Sequence, residues 1–86
     1  MKYIIDVLIS VEEISNWMEI SDFIDDNYNV VSAGMGFGVR DMHIEVETEC
    51  KAFDISQDLT SKYPELVKTE FSCIDYYEVE EDEDEE

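Results

Sequence analysis

The sequence predicts one α+β domain whose elements follow the order strand, helix, strand, strand, helix, strand. Residues 2 to 10 and the flanks of 29 to 50 alternate side chains with the period of a strand, whereas 14 to 28 and 51 to 63 repeat apolar residues with the period of a helix. Ser10-Val11-Glu12-Glu13 has the spacing of a capping box where the first strand gives way to the first helix. Tyr63-Pro64 closes the second helix, because a residue before proline avoids helical backbone. A chain of 86 residues can bury a single core with little surplus stability.

In the first strand, Tyr3, Ile5, Val7 and Ile9 share one face and Ile4 and Leu8 the other, so both faces are apolar, as in a central strand. Ile9 and Ile14 are spaced as a hydrophobic staple around the capping box. The helix that follows, through Asn27, carries an apolar stripe of Ile14, Trp17, Met18, Ile20, Ile24 and Tyr28. Glu12, Glu19 and Asp26 run down its opposite side with Asp22 nearby, and Phe23 lies half-exposed beside that line.

Asn29 to Cys50 reads as two strands joined at Gly38-Val39-Arg40-Asp41. Alternation places Val31, Ala33, Met35 and Phe37 on the core face and Ser32, Gly34, Gly36 and Gly38 on the other. On the return, Met42, Ile44, Val46 and Thr48 face the core, leaving His43 and a ladder of Glu45, Glu47 and Glu49 outside. Lys51 to Lys62 forms the second helix, with Ala52, Ile55, Ser56, Leu59 and Tyr63 inward and Asp54 and Asp58 outward. Residues 66 to 79 form the last strand, with Val67, Thr69, Phe71 and Cys73 toward the core. The domain thus spans residues 1 to 79, and 80 to 86 form a disordered acidic tail.

This order is the ferredoxin-like βαββαβ arrangement, a four-stranded antiparallel sheet with two helices on one face. The open face is expected to carry Ile4, Leu8, Gly34, Gly36, Gly38, Glu45, Glu47, Ile74 and Tyr76. Its apolar part suits a homodimer or a partner. Cys50 and Cys73 lack a zinc-site or redox spacing and read as buried free thiols. There is no apolar run of membrane-spanning length, and the first ten residues do not resemble a signal peptide. The expected location is the cytoplasm, that of the host cell if the protein is viral.

Twenty-four acids against five bases give a net charge of −19. Residues 78 to 86 hold eight acids and no base, which leaves sixteen acids against five bases in residues 1 to 77. Such a field repels nucleic acid and anionic membranes and attracts basic proteins with fast, salt-sensitive association. The chemistry of catalysis is not legible. Gly34-x-Gly36-x-Gly38 precedes no helix and lacks the lysine and hydroxyl residue of a phosphate loop. Asp22, Asp25, Asp26, Asn27 and Asn29 lack the glycine and terminal glutamate of a calcium loop. His43 reads as a surface residue with no nucleophile or metal partner. The expectation is a protein with no enzymatic activity, cofactor or metal.

The acids instead suggest nucleic-acid mimicry. Alternate residues on a strand stand about 6.8 Å apart, against about 3.4 Å between charges along one DNA strand. A single ladder is half as dense as DNA, so the helix acids must contribute. The expected partner-binding set is Glu12, Glu19, Asp22, Asp26, Glu45, Glu47, Glu49, Asp54, Asp58 and Tyr76, directed at a basic nucleic-acid-binding protein or nuclease complex. In size, fold order and charge the whole chain resembles the small acidic DNA-mimic inhibitors that phages use against restriction or CRISPR systems, a class with no shared motif. Two further readings stand beside it. One is an antitoxin or immunity-type inhibitor of a basic protein, engaging through aromatics such as Phe23, Tyr76 or Tyr77. The other is a small-ligand regulatory domain, a layout shared with amino-acid-sensing ACT domains, although the glycine-containing loop after the first strand is absent.

Overall fold

The structure is a computed structural model that describes residues 2–67 and 69–79. The elements are β1 (Lys2–Ser10), α1 (Trp17–Asn27), β2 (Val30–Gly36), β3 (Val39–Val46), α2 (Glu49–Lys62), a 3₁₀ turn (Pro64–Val67) and β4 (Cys73–Val79). The sheet is antiparallel with strand order β2-β3-β1-β4, so β1 and β3 lie centrally. This is the α+β, ferredoxin-like arrangement expected from the element order. The acidic tail expected over residues 80–86 lies outside the described residues.

β1 organises the core. Ile5, Val7 and Ile9 are fully buried on the face shared with Met42 and Ile44 of β3, and they cluster with Ile20 and Ile24 of α1 and Ala52 and Leu59 of α2. Both helices therefore cover one sheet face. Burying each such Ile or Leu side chain contributes about 1.5–3 kcal/mol.

The ends of β1 differ from the sequence expectation. Ser10 Oγ does accept from the Glu13 amide at 3.2 Å, and the Ile14 amide donates to the Ser10 carbonyl at 3.0 Å. The other arm of a capping box is taken, because the Ser10 amide donates to the buried Ser72 hydroxyl at 2.8 Å. Residues 11 to 13 consequently turn, and α1 begins at Trp17. Met18 is exposed rather than part of the buried stripe, whereas Ile14, Ile20 and Ile24 are buried.

The β2–β3 connection is a two-residue turn at Phe37-Gly38, not at 38 to 41. Both residues have positive φ, 55° and 78°, the combination that matches the twist of a tight hairpin. Gly38 is doubly constrained. Its carbonyl accepts from the Val11 amide at 2.9 Å, and a Cβ there would sit 3.1 Å from the Glu12 carboxylate. β2 is an edge strand with a register irregularity between Val30 and Ser32. Val31 falls at that bulge, and Val31, Ala33, Met35 and Phe37 are all exposed instead of forming core. In β3 the expectation holds for Met42, Ile44 and Val46, but the strand ends there and Thr48 caps α2, its hydroxyl accepting from the Lys51 amide at 3.2 Å.

The last strand shows the largest departure. Pro64 starts a 3₁₀ turn that buries Leu66, and this turn takes residues that the alternation had assigned to the strand. β4 starts only at Cys73, opposite Leu8, and its register puts Ile74 and Tyr76 with Ile5 and Val7 on the helix face. Cys73 and Tyr77 are on the open face, and Val67 and Phe71 are exposed. A one-residue change of parity exchanges the faces of a whole strand. Both cysteines are exposed free thiols, correcting their expected burial.

These assignments separate two truncations. Ile44→Ala should lower unfolding free energy by about 2–5 kcal/mol, and Val31→Ala by no more than about 0.5 kcal/mol, both read from urea denaturation. A large loss at Val31 would place that side chain back in the core.

Candidate functional site

Two polar surfaces emerge from this architecture. The first is the outer side of the helix layer. In α1, Glu19, Asp22 and Asp26 lie within one narrow stripe, at axial intervals of about 4.5 and 6 Å. All three are exposed, as is Asp25. Asp54 and Asp58, one helical turn apart on α2, are exposed as well. The two helices share a field. The Tyr28 hydroxyl is pushed up by burial and then by Asp58 of α2, and the Tyr63 hydroxyl by burial and then by Glu19 and Glu65. Lys62 interrupts this acidity, its ammonium lying 5.0 Å from the Phe23 ring centre and 5.5 Å from that of Tyr63. Phe23 packs edge-on against Tyr28 and Tyr63, which confirms its half-exposed packing role.

The remaining predicted partner residues are dispersed. Glu12 belongs to the turn after β1 and reaches the hairpin at Gly38, so it does not extend the helical line. The carboxylate ladder does not form. Glu45 is on β3, Glu47 lies in the bend after that strand, and Glu49 opens α2. Glu45 is also engaged, 3.2 Å from Lys2 Nζ and 3.5 Å from Asn29 Nδ2. Tyr76 packs against the core on the helix face, and its remaining surface lines a pocket with Glu49 and Asp54. Five of the ten expected residues thus lie outside the helix-layer stripe, namely Glu12, Glu45, Glu47, Glu49 and Tyr76, and Ser10's capping turn accounts for the displacement of Glu12.

The second surface is the open sheet face, where the sequence reading missed a cluster. The β1–β3 register sets Asp6 opposite His43 and Leu8 opposite Asp41, so Asp6, Asp41 and His43 converge. His43 Nε2 is 3.4 Å from Asp6 Oδ1 and 3.7 Å from Asp41 Oδ1. Both of those oxygens are buried without a hydrogen-bond partner. On the other side of β1, Asp75 stands opposite Asp6. Burial, the Asp41 carboxyl and its charge raise the Asp6 pKa to about 6, and Asp75 adds to this while His43 opposes it. Cys73 shares the face; its thiol is pushed up by partial burial and by Asp75, Asp6 and Asp41, which disfavours a reactive thiolate. Among the described residues, Asp6, Asp41 and His43 are the group whose donor atoms lie close enough together to hold a metal ion. The available signal was Asp6 itself, a lone acid between Ile4 and Leu8 on a central strand.

Comparison with protein families, with curated proteins and with solved structures found no match.

The Asp6 shift has a defined sign. A raised folded-state pKa means that the folded protein binds this proton more tightly than the unfolded chain, so the associated stability is present below the unfolded value and is lost as pH rises through about 6. With chelator present, Asp6→Asn should raise the urea midpoint relative to the parent protein at pH 7.5, and the gain should shrink at pH 5. A gain independent of pH would show that Asp6 is not the titrating group.

Proposed function

We propose that this protein is an acidic nucleic-acid mimic that binds and inhibits a basic nucleic-acid-binding protein or nuclease complex, as phage anti-restriction and anti-CRISPR inhibitors do. The observation that carries this reading is the helix layer. α1 holds Glu19, Asp22, Asp25 and Asp26 and no base. Asp25 and Asp26 occupy its last turns, where the helix dipole disfavours negative charge by about 0.3–1 kcal/mol each. Acids placed against local stability fit a surface selected for contact. A site built for phosphates already presents arginine and lysine, and a protein carrying fixed carboxylates can occupy it with the same release of counterions.

A dedicated inhibitor of one basic protein is the second reading, favoured by the hairpin tip. Phe37 is fully exposed and holds positive φ, a conformation that a bulky side chain adopts only under strain. An exposed aromatic of this kind is suited to fill a pocket on a single partner.

Bait comparison separates these surfaces. Proteins retained from bacterial lysate by the full chain should be lost, or their dissociation constants raised at least about tenfold, when Asp22 and Asp54 are both reversed to lysine. The same change of charge at Glu70 and Asp75, which are exposed and off the helices, should have a smaller effect. Equal losses in the two variants would reduce the interaction to net charge. Loss with Phe37→Ala alone would favour the dedicated inhibitor.

A further inference from the structure

The cluster on the open sheet face supports an inference that does not rest on mimicry. Asp6 Oδ1, Asp41 Oδ1 and His43 Nε2 all lie within 4.8 Å of one another. Two of the three atoms are carboxylate oxygens that are buried and have no hydrogen-bond partner. Leaving such atoms unsatisfied is costly, and a cation between them removes the penalty. We propose that Asp6, Asp41 and His43 bind one divalent transition-metal ion of the zinc class.

The distances agree with this assignment. Zinc bonds to nitrogen and oxygen of about 2.0–2.2 Å in a tetrahedron place neighbouring donor atoms about 3.4 Å apart. His43 Nε2 stands 3.4 Å from one carboxylate oxygen and 3.7 Å from the other. The donor set points the same way. Calcium takes six to eight oxygen ligands and magnesium an octahedral oxygen shell, whereas an imidazole with two carboxylates and a small coordination number suits zinc and its neighbours. Two carboxylates also neutralise the ion, and Asp75 on the far side of Asp6 adds attraction.

The site is held on rigid elements. Asp41 and His43 are alternate residues of β3, and Asp6 is on β1, both central strands. A fourth position is left beside Asp41, where β2 has Gly34 and the space a side chain would fill is empty, with Ser32 as the next β2 residue on this face, opposite His43. Three protein ligands with one exchangeable position is the pattern of a site that can accept a further donor.

His43 is the sole histidine of the chain, so its ring signals report on this site alone. The test is an NMR titration of the chelator-stripped full chain with zinc, in a large magnesium excess that occupies the scattered surface carboxylates. The expected result is a shift of the His43 ring signals that is complete at one equivalent, with a tetrahedral visible spectrum when cobalt replaces zinc. Asp6→Asn and Asp41→Asn should each weaken binding by at least about tenfold, the loss known for weaker supporting contacts. Circular dichroism without metal checks that the variants fold, and the titration of the parent protein decides the matter if they do not. Unmoved His43 signals, a shift abolished by magnesium, or variants that bind as tightly as the parent protein would overturn the site and leave a proton shared by the two carboxyls as the occupant.

Discussion

Pairing of β1 along both edges is the constraint on which the rest of the molecule depends. With β3 on one side and β4 on the other, β1 cannot slip by one residue without turning Ile5, Val7 and Ile9 out of the core. That register simultaneously directs Asp6 to the open face, between His43 and Asp75. Core and polar cluster are therefore two consequences of one alternation. The Ser10–Ser72 and Val11–Gly38 hydrogen bonds then fasten the end of β1 to the start of β4 and to the hairpin turn.

Around this frame, local preferences are set aside at the surface. Phe37 occupies a turn position that glycine or asparagine would fill with less strain. Asp25 and Asp26 stand at the wrong end of a helix for their charge, and Asp6 is a carboxylate whose ionisation burial resists. Departures of this kind concentrate where a protein does something other than fold. The helix layer and the open face are consequently separate in chemistry, one presenting dispersed charge and the other gathering three donor atoms at one point.

The order of elements and the core of β1, β3 and α2 were legible because those segments have clean periods, with Ile5, Met42, Ile44, Ala52 and Leu59 all placed correctly by alternation or helical spacing. β4 was not. Its alternation extends back through residues that Pro64 diverts into a 3₁₀ turn, and nothing in the pattern shows where the strand begins, so its faces were exchanged. β2 misled for another reason, since apolar alternation cannot reveal that an edge strand bulges and lies largely beyond helical cover. The outward acids of α1 and α2 could be read from periodicity. The Asp6, Asp41 and His43 cluster could not, because it depends on register between strands more than thirty residues apart in sequence.

The claim that the helix-layer acids stand in for phosphates is tested most directly by competition. A complex formed with a retained DNA-binding partner is challenged with duplex DNA at fixed ionic strength, and release of the acidic protein is followed. The account predicts mutually exclusive binding, with release rising as DNA is added and no ternary complex. A partner that holds this protein and DNA together, or whose binding is indifferent to DNA, would contradict it.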